Sequence, residues 1–179
     1  MIRRFAIGFC SAAFLVLLVS VVRADEKGNS AGAKSAHVQF EQLKRLVGEW
    51  TGKGQHGDVA HDANINFKLT SAGSTLMETV FAGTNHEMVT MYHVDGDALV
   101  LTHYCALGNQ PRMKAVSLGD PKKVVFRFLD GTNLDAAKDV HMHDATIEFI
   151  SDDHFRSEWT SYTNGKQDSV AKFEFKRKK

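Results

Sequence analysis

From residue 48 to the end, the chain alternates apolar and polar positions. ANINFKL sets Ala63, Ile65, Phe67 and Leu69 against Asn64, Asn66 and Lys68, the period of a half-buried strand. The same period runs through STLMETVFA, EMVTMYHV, ALVLTHYC, RMKAVSL, KVVFRFL, HMHDATIEFI, HFRSEWTSY and SVAKFEFK. Gly-, Asn- and Asp-rich breaks such as Asp95-Gly96-Asp97, Asp130-Gly131-Thr132-Asn133 and Asn164-Gly165 separate them, with residues that tolerate turn dihedrals. With GEWTGKG the count reaches about ten strands in simple succession. Ahead of them, His37 to Val47 reads as a short helix with Phe40, Leu43 and Val47 on one face, and Leu134 to Lys138 leaves room for one more helical turn. The pattern predicts an all-β fold: an antiparallel up-and-down barrel behind a short N-terminal helix, with a sandwich as the alternative. A barrel of that many strands exceeds what interior side chains alone fill, so a cavity is expected.

The start of the chain follows another rule. Arg3 and Arg4 precede an almost wholly apolar run, Phe5 to Val22, and Val22-Arg23-Ala24 places small residues where a signal peptidase cuts. Residues 1–24 are therefore expected to be an export signal, with an uncleaved anchor as the alternative. A flexible leader over 25–36 and one barrel domain over 37–179 follow. Loss of the first 24 of 179 residues leaves 155, enough for one core, and takes three Arg but no acid, so 19 basic residues face 21 acidic ones. That balance gives no electrostatic reason to bind nucleic acid, and no membrane association is expected after cleavage. Cys105 is then the one remaining cysteine, so no internal disulfide forms in the secreted or periplasmic destination.

GEWTGKG contains Gly52-x-Gly54-x-x-Gly57, the letters of a dinucleotide fingerprint. That fingerprint needs a helix N-terminus next, whereas another strand follows here. Read as a strand, the stretch puts Trp50, Gly52 and Gly54 on one face, with the glycines relieving crowding at a bend and Trp50 closing the barrel floor. Gly-x-Trp on the first strand after a short helix resembles the calycin superfamily of lipocalins, fatty-acid-binding proteins and nitrobindins. Nitrobindin-like and lipocalin-like bacterial secreted barrels are the nearest in pattern. The resemblance implies that a basic residue of the last strand, Lys176 or Arg177, packs over the Trp. Nitrobindins hold haem through a His near the C-terminal strand, and SVAKFEFKRKK has none, so that ligand does not transfer.

Candidate chemistry concentrates in histidine. In MVTMYHVDGDALVLTHYC, a two-residue Asp95-Gly96 turn places His93 and His103 on opposite faces. A longer loop with a bulge at Gly96 aligns Val89, Met91 and His93 with Leu99, Leu101, His103 and Cys105, and this register is expected because it gathers apolar residues. His141 and His143 share parity with Ala145, Ile147 and Phe149, and Phe155 with Trp159. The connection from Thr102 to Arg112 is rich in polar donors and is the expected cavity mouth. Nucleophile elbow, P-loop and HExxH patterns do not occur; His86-Glu87-Met88-Val89-Thr90 lacks the second His.

Two functions follow. The first is a non-enzymatic binding barrel for a small, largely apolar molecule with a polar or anionic head. Its expected ligand-binding residues are Met91, His93, His103, Tyr104, Arg112, His141, His143 and Trp159. In the alternative, His93, His103, His141, His143 and Cys105 hold zinc, iron or haem.

Overall fold

The computed structural model describes residues 24–117 and 119–179. The expected export signal falls almost entirely on residues 1–23, outside the described ones. No helix among the described residues is long and apolar enough to cross a membrane.

The helix α1 (Ala24–Lys44) is followed by ten strands: β1 (Gly48–His56), β2 (Val59–Thr70), β3 (Thr75–Val80), β4 (Met88–Asp95), β5 (Ala98–Tyr104), β6 (Gln110–Val116), β7 (Lys123–Thr132), β8 (His141–Ser151), β9 (His154–Thr163) and β10 (Lys166–Arg177). Each strand pairs antiparallel with the next, and β1 pairs with β10 from Trp50↔Arg177 to His56↔Ala171, which closes the barrel. Every alternating run in the sequence is a strand. A short turn with all three residues at positive φ, Ser71–Gly73, joins β2 to β3. The one helical turn for which residues 134–138 leave room is present as a single turn, with the Lys138 (i→i+3) and Asp139 (i→i+4) N–H groups both on the Asp135 carbonyl.

The helix differs from expectation at its start: residues 25–36, read as a flexible leader, are helical. Small residues account for the docking of this stretch. A Cβ at Gly32 would stand 3.1 Å from Asp97 Cβ, and Ala36 one turn later is 1 % exposed, so the helix lies directly on the β4–β5 turn. Phe40, Leu43 and Leu46 then plug one end of the barrel. Val47, assigned to the apolar face in the sequence, is exposed, and Leu46 takes its place because the chain tightens to i→i+3 hydrogen bonds at residues 45–47.

That plugged end is the floor. Trp50 is 1 % exposed, its Nε1–H donates to Leu46 O (2.7 Å), and its ring meets Phe155 edge-on at 4.9 Å. Arg177 lies over the Trp50 ring at 4.1 Å and donates to the carbonyls of Val47, Arg45 and Asp152 and to the Asp153 carboxylate. Of the two basic residues named for this place, Arg177 occupies it. Phe67, Phe155, Phe175, Leu76 and Leu99 fill the rest of the floor, each contributing roughly 1.5–3 kcal/mol by burial.

The β4–β5 register corrects the sequence reading. Asp95 pairs with Ala98 across a two-residue Gly96-Asp97 loop, and Thr90↔His103, Tyr92↔Leu101 and Val94↔Leu99 follow. Thr90, Tyr92, Leu101 and His103 therefore face inward, while Met91 and His93 face out. Hydrophobicity misled here because β5 has no polar face over its first four residues: Ala98, Leu99, Val100 and Leu101 are all buried.

Candidate functional site

Above the packed floor the interior is incompletely filled. A cavity of about 200 Å³ lies toward the opposite end, beneath β1, β2, β3 and β10. Its walls are mostly rings and sulfur: Phe81, Phe173, Phe175 and Trp159, with Met88 and Met142. Gly54 helps to create it. A Cβ there would meet His61 Nε2 at 2.5 Å and the Phe173 ring at 2.6 Å, so this position must be bare for those two rings to sit side by side. Gly52 serves β1–β10 pairing, because a Cβ there would overlap the Glu174 carbonyl. Gly57 makes the β1–β2 turn. Strand β2 follows where a phosphate-binding helix would have to start, which disposes of the dinucleotide motif.

Phe81 leaves β3 with φ +56°, a conformation that costs a bulky L-residue roughly 1–2 kcal/mol. Its N–H donates to Asn64 O, and its own carbonyl accepts from the Thr84 N–H and hydroxyl. The ring is thereby fixed at the cavity beside His61 (5.7 Å) and Phe173 (6.3 Å).

Two of the polar residues that line the cavity, Glu78 and His103, belong to one row across three strands with Thr90 between them. Glu78 pairs with Thr90, and Thr90 with His103, so all three side chains project from the same side of the sheet. Tyr92 donates its hydroxyl to Glu78 Oε2 at 2.5 Å, and Thr90 Oγ1 lies 2.9 Å from His103 Nδ1. Glu78 is 4 % exposed and His103 3 %. Burial raises the Glu78 carboxyl to about 7, against the opposing Tyr92 hydrogen bond, and burial lowers His103 to about 4. Burial, with Glu78 beside it, holds the Tyr92 phenol well above its ordinary range. His103 Nε2 is buried without a hydrogen-bond partner. An orphaned ring nitrogen of this kind is uncommon and costs free energy.

Of the expected ligand-binding residues, the structure brings His103 and Trp159 to the cavity, their rings 4.9 Å apart. The others lie elsewhere. Met91 sits opposite Met77 and Thr102 on the outer face, and His93 opposite Thr75 and Val100. Tyr104 is exposed at the end of β5. Arg112 is spent outside the barrel, where Nε and Nη2 grip both oxygens of Asp130. The Thr102–Arg112 connection is thus not the cavity mouth; Asn109 in it is buried and donates to Val140 O.

His141 and His143 are displaced by a register shift between Met142 and Asp144. The irregularity gives Met142, opposite Ser161, the place on the cavity wall that alternation assigned to the histidines. His141 is fully buried, with Nδ1 on the Asp139 carbonyl and Nε2 on His143 Nδ1. His143 is stacked between Phe128 (4.7 Å) and Tyr162 (3.8 Å), and burial lowers its pKa. Cys105 is half-buried in the β5–β6 turn, and burial raises its thiol pKa, the direction opposite to a reactive thiolate.

The metal alternative needed His93, His103, His141, His143 and Cys105 to converge. They do not: no group of three or more metal-ligating side chains occurs among the described residues. The cavity is also smaller than the roughly 300–1,000 Å³ of drug-sized sites.

Glu78, Thr90 and Tyr92 are absent from the sequence-derived site. The signal for Glu78 was present: in STLMETVFA an acid sits at the parity of Leu76 and Val80, on the apolar face.

No protein-family model and no curated protein matches the chain. Among solved structures, it is similar to a protein of unknown function from the DUF3598 family of Nostoc punctiforme PCC 73102. The TM-score is 0.53 at 16% identity, over 76% of this chain and 49% of that one, so this chain spans about half the length of that protein. It is also similar to EF1p2_mFAP2b bound to DFHBI, with a TM-score of 0.37 and 12% identity over 78% and 98% of the two chains. The first likeness speaks to the barrel fold alone, and the second carries no argument.

Proposed function

We propose that the protein is a non-enzymatic binding barrel for a small, largely apolar molecule whose polar head reaches the row formed by Glu78, Thr90 and His103. The observation that carries this reading is the orphaned His103 Nε2 in a largely apolar cavity. A ligand that completes that nitrogen's hydrogen bond recovers the cost of leaving it unpaired. The cavity, about 200 Å³, is somewhat larger than the ~150 Å³ apolar cavity that admits benzene in another protein. A single ring or a short branched chain is the matching size.

The Trp50–Arg177 stack on the floor supports a calycin-like ancestry, and the apolar segment ahead of Ala24 supports export. Both belong to the same proposal: a carrier or sensor of small molecules outside the cytoplasm. Native mass spectrometry of the full-length gene product, isolated from its own cells, tests it. The expected spectrum shows a chain lacking residues 1–24 and carrying one small bound mass that is lost in His103→Phe. Retention of the same mass by His103→Phe would place the ligand elsewhere and refute the assignment of the site.

A further inference from the structure

The chemistry of the cavity selects among polar heads. None of the described residues lining it is Lys or Arg, and the one guanidinium expected to serve an anion, Arg112, is held by Asp130 on the outside. A carboxylate or phosphate would enter beside Glu78 with no cation to meet. Beside His56, His61 and Ser157, the cavity presents two groups able to accept, Glu78 and His103. Among the described residues, Glu78 accepts the Tyr92 hydroxyl on Oε2, which leaves Oε1 for a ligand. Thr90 Oγ1 lies 2.9 Å from His103 Nδ1; in the tautomer whose Nδ1–H donates to that hydroxyl, the unpartnered Nε2 carries a bare lone pair into the cavity. Glu78 and His103 stand one strand apart on either side of Thr90, about 10 Å between their Cα atoms, and project from a concave wall toward a common space.

We infer that the cavity takes a small organic amine, its ammonium donating to Glu78 Oε1 and His103 Nε2 and its apolar body lying against Trp159, Phe173 and Phe81. This rests on the binding reading above and gives it a ligand class. An ammonium supplies three donors where a hydroxyl supplies one. It neutralises a buried carboxylate that otherwise has no countercharge, and the surrounding ring faces attract a cation. The titratable groups lining the cavity are His56 on β1, His61 on β2, Glu78 on β3 and His103 on β5, with Tyr92 on β4 reaching Glu78 through its hydroxyl; β8, β9 and β10 contribute Met142, Ser157, Trp159, Ala171, Phe173 and Phe175, none of which titrates.

Calorimetric titration with four ligands of nearly equal size tests the inference: toluene, benzyl alcohol, benzylamine and benzoate. At pH 8 benzylamine is expected to bind about tenfold or more tightly than benzyl alcohol, with benzoate weakest. Benzylamine affinity should fall about tenfold from pH 8 to pH 6 as Glu78 takes up a proton, while toluene affinity stays constant. Glu78→Gln should remove the amine preference and keep toluene binding. If none of the four binds, the cavity reading itself fails. If toluene and benzyl alcohol bind as well as benzylamine, or benzoate binds best, the cavity reading stands and the amine inference is overturned. The pH profile of the unaltered protein decides the matter even if Glu78→Gln does not fold.

Discussion

Replacing Glu78 by Gln is expected to stabilise the unliganded barrel at pH 8 while changing it little at pH 5. The folded carboxyl ionises near 7 against an ordinary 4.5, because burial opposes the charge. Above pH 4.5 the unfolded chain releases a proton that the folded chain keeps, so stability falls as pH rises through 7 and is level beyond it. At ~1.4 kcal/mol per pH step, the whole interval is worth about 3 kcal/mol, of which about 2–3 kcal/mol falls between pH 5 and pH 8. Gln keeps a carbonyl oxygen for the Tyr92 hydroxyl and removes the ionisation. Urea denaturation of both proteins at pH 5 and pH 8 reads the difference. Comparing variant with parent at each pH cancels the contribution of His103, which both retain. The expected gain of Glu78→Gln over the parent is about 2–3 kcal/mol larger at pH 8 than at pH 5. An equal gain at both pH values would mean that Glu78 ionises as it does in water, and the dry, uncompensated carboxylate would have to be abandoned.

Three further outcomes follow from the same geometry. His103, with its folded pKa near 4, contributes stability that is present above 6.5 and lost as pH falls toward 4; ring-nitrogen NMR should show it neutral at pH 5, and a midpoint near 6.5 would contradict its burial. Arg177→Met removes the guanidinium from Trp50 and strips partners from three carbonyls and Asp153; a loss of about 2–4 kcal/mol in urea unfolding is expected, with Arg177→Lys recovering less than half, and a loss under ~1 kcal/mol counts against the floor clamp. Gly52→Ala forces a methyl into the Glu174 backbone and should cost about 3 kcal/mol or more, whereas Gly57→Ala, in open space at φ +57°, should cost about 1–2 kcal/mol; equal melting points for the two would refute the close β1–β10 approach.

The barrel was legible because its strands obey one rule. Each run such as ANINFKL has one wet and one dry face, so period two marks both the strand and its inward set. Legibility failed where that contrast disappeared. Strand β5 is dry on both faces at Ala98–Leu101, so hydrophobic matching could not choose between registers, and a one-residue error there exchanged Thr90 and Tyr92 for Met91 and His93. In β8 the alternation is visible, but the irregularity between Met142 and Asp144 leaves no mark in residue type. Arg112 was misplaced for a third reason: its partner Asp130 lies on β7, and a cross-strand ion pair depends on a pairing that composition does not encode. Within the site, His103 and Trp159 were accessible from sequence. Glu78 was accessible in principle, as a charge on an apolar face, but its meaning came only with the neighbours that leave it unneutralised.

The interior divides into two halves that follow different physics, and the division locates function. Around Trp50 every large side chain is buried against another, the indole N–H and the helix-end carbonyls are paired, and Arg177 ties helix, β1 and the β8–β9 turn together. Toward the other end lie a carboxylate without a countercharge, a ring nitrogen without a partner and a phenylalanine held at positive φ, all bordering one void. Each of these costs on the order of 1–3 kcal/mol. Larger apolar residues at Glu78 and His103 would remove two of the costs and fill the space. A sequence that packs its floor this completely does not leave the upper half empty for want of apolar side chains. On the binding reading proposed above, the polar row is the half of an interaction that the barrel holds ready, with the floor supplying the stability that lets it do so.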